Sequence, residues 1–172
     1  MNTAIVKANP VLMTLIFGIL SFAGIFSVEP EDPLSYRIFA VGIAVIVLSV
    51  LLVWLNAIAD VASRSGASEV RAPKAYVYFL ALMSFAVSVF YHTSSEVLTL
   101  AQTIGKASGS VCFALMAFCI WRVAQSVEYA DRRQGVVSVG TILGTAALLF
   151  FSILGVWVLR PRLLRLASAQ TV

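Results

Sequence analysis

Charge is scarce in this chain. Only 12% of its 172 residues are Asp, Glu, Lys or Arg, about half the share in an ordinary soluble domain. There is one histidine, His92, and there are two cysteines, Cys112 and Cys119. Each scarcity closes off a class of function. A single histidine cannot build HExxH or any other two-histidine metal site, and a bis-histidine haem would need two copies. The cysteines stand seven apart on one apolar segment, where a helix separates them by about 10.5 Å of rise, too far for a disulfide. They read as small buried apolar residues. CxxC, GxSxG and GxGxxG are all missing. Gly105-Lys106-Ala107-Ser108 echoes the end of a phosphate-binding loop but lacks the upstream glycine and strand. The net charge is +4, yet no basic patch has a folded polar platform behind it, so no nucleic-acid partner is expected. Neither a cofactor nor a catalytic role is expected, because no reactive side chains cluster.

What fills the chain instead is apolar. Hydrophobic residues make up 60%, and the mean hydropathy is +0.97. The bilayer is therefore the expected solvent, and the whole chain reads as one transmembrane domain. A hydrocarbon core of about 30 Å asks for about 20 apolar residues. Five segments qualify: 10–27, 38–59, 75–91, 108–124 and 136–159. Pro10 suits a first helical turn. Lys7, the apolar run 11–20 and Ser21-Phe22-Ala23 resemble a signal peptide, but the segment reads better as a first span or uncleaved anchor. The runs are too long and too unalternating for barrel strands. Arg122, in the last turn of the fourth run, is placed to snorkel to the interface. The 136–159 run, 24 residues long, is the clearest of the five.

Residues 28–37, 60–74 and 125–135 read as short polar connections, the first an acidic turn around Glu29, Glu31 and Asp32. Residues 92–107 differ. Thr93-Ser94-Ser95-Glu96 has capping-box spacing, and Val97, Leu98, Ala101 and Ile104 follow at helical intervals. A short amphipathic helix near 94–105 is expected there. The fold class is then all-α: a polytopic bundle of about five transmembrane helices, or four if one segment is interfacial.

Lys and Arg in short loops set orientation. With the N-terminus cytoplasmic, Lys7, Arg64, Arg71, Lys74, Arg122, Arg132 and Arg133 lie inside. Arg37, Lys106, Arg160, Arg162 and Arg165 lie outside. Among the connections alone the ratio is six to two, which favours a cytoplasmic N-terminus. The arginines of the C-terminal tail argue the other way, and five spans force them to the far face. Tyr36, Trp54, Tyr76, Tyr78, Tyr91, Trp121 and Trp157 fall near span ends, as interfacial anchors do.

A few polar residues interrupt the apolar pattern. Asn56 and Asp60 are spaced i, i+4, and Asp60–Arg64 is a plausible helical ion pair. Asn56 suits an interhelical hydrogen bond or a polar path. His92 and Glu96 share the i, i+4 spacing. They make either a proton or cation site at the membrane edge or, with Thr93, a capping box; these two arrangements partly exclude one another. Ser84 and Ser88 repeat the spacing in the third run, Thr14 and Gly18 in the first, and Ala40 and Ala44 in the second. Gly140 and Gly144 form a GxxxG step in the fifth, with Ala147 near the same face; such faces pack against a helix of the same or another chain. No span carries a charge near its middle, which argues against an ion-coupled pump but not against a pore.

The expected function is a small non-catalytic membrane subunit, packing against lipid and against other copies or other membrane proteins. A pore, small-solute transporter or membrane-permeabilising effector is the alternative. Short loops around an apolar bundle suit a bacterial inner membrane.

Overall fold

The structure, a computed structural model, describes residues 34–64, 73–92, 99–132 and 137–168, together with Val11, Thr14 and Leu15. Among them there are five principal helices and no strands: α1 (Leu34–Arg64), α2 (Ala75–His92), α3 (Thr99–Arg132), α4 (Val139–Phe150) and α5 (Ser152–Ser168). An all-helical fold is compatible with a membrane location, since in hydrocarbon each backbone N–H and C=O must be satisfied within its own segment. Two helical stretches, Val41–Arg64 in α1 and Thr103–Asp131 in α3, are long and apolar enough to cross a membrane. A third exists only if α4 and α5 count as one bent span. That is fewer than five. The 10–27 run lies outside the described residues apart from Val11, Thr14 and Leu15, which are helical. The apolar stretch of α2, Ala75–Val89, is too short to qualify; even the full 18 residues of α2 rise about 27 Å, just under a hydrocarbon core.

Three expectations are corrected. First, the part of the expected 94–105 amphipathic helix that is described, residues 99–105, is not a separate helix; residues 94–98 lie outside the described residues. Residues 99–105 are the opening turns of α3, which continues unbroken for 34 residues. Glycine within such a helix permits close packing. Gly109 does this: a Cβ on it would lie 2.8 Å from the Ser88 hydroxyl of α2. Second, most of the 125–135 connection is helical, since α3 runs on to Arg132. Arg122 donates to Gln125 at 3.3 Å across one turn of this extension. Third, the 136–159 run is not straight. It is split between α4 and α5, which are bent by 119°.

The bend has local causes. Ser138 caps α4, accepting from the Thr141 N–H, and Thr141 Oγ1 donates to the Ser138 carbonyl at 2.8 Å, so the entry is fixed. At Phe151 the backbone leaves helical geometry (φ −84°, ψ 62°) while its N–H still donates to the Ala147 carbonyl. The N–H of Gly155 then donates to the Phe151 carbonyl at 2.9 Å, and the new helix starts. Only one residue falls outside the helical ladder, which keeps the turn cheap in polar groups.

Helix α3 is central and touches α1, α2, α4 and α5, while α5 also reaches α1. Ser88 against Gly109 and Tyr78 near Cys119 make α2 and α3 antiparallel neighbours. The core holds Leu55 and Ile58 of α1, Val123 and Val127 of α3, Leu149 of α4 and Leu159 of α5. Large apolar side chains also cover the outside, among them Phe39, Phe79, Phe113 and Phe118. So much exposed apolar surface is compatible with a membrane location, where close packing rather than water exclusion holds helices together. Cys112 and Cys119 are free and buried on α3.

Candidate functional site

Helix α3 extends beyond its most apolar stretch, and this extension carries the polar centre of the molecule. Glu128 is 3% exposed. An unpaired carboxylate there would be costly. It is not unpaired: on α4, Thr145, also buried, donates its hydroxyl to Glu128 Oε1. On α5, Arg162 Nη1 donates to the same oxygen at 3.1 Å. Arg162 Nε stands 3.9 Å from Asp131 Oδ2, one turn past Glu128. Thus one buried carboxylate holds three helices in register. The arrangement binds charge to charge with a hydroxyl alongside; chemically it fixes geometry rather than presenting a nucleophile or base to a substrate.

Sequence pattern did not single out this cluster. Its members are 17 and 34 positions apart, and Glu128 and Asp131 fall in the 125–135 segment, where the sequence predicts a polar connection. One signal was present. Arg160, Arg162 and Arg165 sat on the wrong face of a five-span topology, and a partner for them on the other face was the missing piece.

The expected polar residues lie elsewhere and do not converge. Asp60 pairs with Arg64 at 2.8 Å along α1, as the spacing indicated. Asn56 is exposed on α1 and edges a groove of about 220 Å³ between α1 and α2, lined also by Ser49, Leu52, Ala75, Tyr78 and Leu82. The Ser49 hydroxyl is already used, donating to the Val45 carbonyl at 2.7 Å. The Tyr78 hydroxyl is buried without a hydrogen-bond partner. Ser84 and Ser88 are half-buried on α2, and neither lines that groove. His92 ends α2; Glu96 and the capping-box residues from Thr93 onward lie outside the described residues. Gly140 and Gly144 are exposed on α4. No described atom comes within 4 Å of a Cβ placed on Gly144, and the nearest to one on Gly140 is the Ser138 hydroxyl at 3.9 Å. The GxxxG step therefore meets no described helix of its own chain.

Among the described residues, no three of His, Cys, Asp and Glu gather in a way that would hold a metal ion. No protein-family model, curated protein or solved structure matches this chain.

Proposed function

We propose that this protein is a non-catalytic integral membrane subunit that assembles with further copies of itself or with other membrane proteins, in a bacterial inner membrane. The observation that carries this reading is the open small-residue face of α4. Gly140 and Gly144 are a helix-packing step left without a described partner in the chain. Meanwhile Glu128, Thr145 and Arg162 of α3, α4 and α5 are spent on one another. A rigid interior with an uncovered packing face is what an assembly component needs.

A second reading, a pore or solute pathway formed between copies, draws on Asn56. Its exposed amide at the groove between α1 and α2 would line a path only when another copy covers it.

Mild-detergent purification followed by mass measurement separates these readings. The subunit reading expects an oligomer or a complex with other membrane proteins, and Gly144→Leu should weaken that association by roughly tenfold. A chain that stays monomeric and partnerless removes it. If the purified protein alone passes ions or dye in liposomes, the pore reading replaces it. Flux unchanged by Asn56→Leu would then exclude Asn56 from the lining.

A further inference from the structure

We propose that α4 and α5 form a re-entrant hairpin. The chain enters the bilayer through α4, turns at Phe151 and returns through α5 to the face it left. There Arg165, the exposed arginine of α5, rests on anionic lipid headgroups. The inference needs the protein to sit in a membrane, but not to be a subunit of anything.

Length is the first argument. Helix α4 has 12 residues and rises about 18 Å, little more than half of a hydrocarbon core. The second is where the return arm ends. A straight helix from Ser138 would carry Arg162 about 36 Å along its axis, to the opposite face. Instead the 119° bend brings Arg162 to 3.1 Å from Glu128. Glu128 lies one turn beyond the apolar stretch 108–124 of α3, toward the end from which the chain continues to Ser138. Thr145 of α4 and Arg162 of α5 therefore meet the same end of α3. The third is the fit at the turn. A Cβ on Gly155 would lie 2.1 Å from the Leu148 carbonyl oxygen, so glycine is what lets the two arms close.

The tip and the return arm have the matching chemistry. Phe150 and Phe151 stack edge to face at 5.4 Å and are both exposed, as are Trp157 and Val158. An exposed aromatic tip of this kind is stable in hydrocarbon. Further along α5, Leu163, Leu166 and Ala167 are buried against the bundle while Arg165 is exposed. That fixes the helix to the bundle and leaves Arg165 facing outward, where an anionic headgroup can reach it.

Charge distribution supports the same geometry from an independent direction. With the 10–27 run and α2 counted as crossings beside α1 and α3, returning Arg160, Arg162 and Arg165 to the face of Arg132 and Arg133 places ten of the twelve basic residues on one side. Only Arg37 and Lys106 remain on the other. The conflict in the five-span topology disappears, and the basic face becomes the cytoplasmic one, whose leaflet is anionic.

Cysteine labelling of the full-length chain tests this. With Cys112 and Cys119 replaced by alanine, single cysteines are placed at Ser63, Lys106, Ser138 and Ser168, all exposed positions. A membrane-impermeant maleimide is applied to sealed vesicles of either orientation. Ser63, Ser138 and Ser168 should react from one side and Lys106 from the other. Reaction of Ser168 from the side opposite Ser138, or from neither side, overturns the hairpin. For the lipid contact, the Ser168→Cys protein carries an environment-sensitive fluorophore in phosphatidylcholine vesicles with or without phosphatidylglycerol. A blue shift that requires phosphatidylglycerol and is lost in Arg165→Gln supports headgroup binding. Equal emission in both vesicles overturns it and leaves Arg165 to water or to a protein.

Discussion

Alanine at Gly155 is expected to cost about 3 kcal/mol, the upper part of the usual range for overpacking. The added Cβ would sit 2.1 Å from the Leu148 carbonyl oxygen and 2.9 Å from its carbon. Both are backbone atoms, so no rotamer change relieves the clash, and α5 must move away from α4. Moving it stretches the Arg162–Glu128 contact, because the arginine is only seven residues further along the same helix. The competing state is a straight helix over the apolar 136–159 run. That helix rises about 36 Å and can cross the bilayer, so the variant should also show a fraction of chains with Ser168 on the opposite face. Gly144→Ala is the control. No described atom lies within 4 Å of its Cβ, and alanine is the better helix former by up to about 1 kcal/mol. Denaturant titration of the detergent-solubilised proteins reads both changes. If Gly155→Ala and Gly144→Ala behave alike, the close approach of α4 and α5 is not a feature of the folded protein.

The second large effect is an asymmetry within the polar cluster. Arg162→Gln should destabilise by about 3 kcal/mol, the low end for breaking a buried ion pair. Glu128→Gln should cost only about 1 kcal/mol, the scale of one hydrogen bond. The difference comes from exposure. Without Arg162, a carboxylate that is 3% exposed loses its ion pair to α5, whereas without the Glu128 charge, an arginine that is 41% exposed still meets water. It also keeps Asp131 at 3.9 Å. The glutamine at 128 retains an acceptor for Thr145, which limits the loss further. A double-mutant cycle over the two positions should return a coupling well above zero. Equal costs, or additive ones, would show that Glu128 and Arg162 act independently.

Both predictions concern features the residue pattern did not display, and the reason is range. Interactions within one helix were legible. Asp60 and Arg64 are four positions apart, and the pair exists; Cys112 and Cys119 share one helix and stay unpaired. The 38–59 and 75–91 runs fall inside α1 and α2. Contacts between helices were not legible. Nothing local to Glu128 says that Thr145 and Arg162 will reach it, so charges that clamp three helices looked like loop residues. Asn56, Ser84 and Ser88 drew attention because they interrupt apolar runs, yet they do not meet around one space.

Apolar content by itself pointed to a bilayer as solvent and, through it, to the helical class. In a medium without water, unpaired backbone groups are too costly for open strands or loops, whatever the side chains do. Hydropathy cannot determine how many times the chain crosses, because it sums over a window and is blind to direction. A straight span and a folded-back pair of half-length helices bury the same residues and score alike. Only the tertiary structure separated them, through one non-helical residue at Phe151, one glycine small enough at 155, and one buried carboxylate that draws Arg162 back to the face where α3 ends.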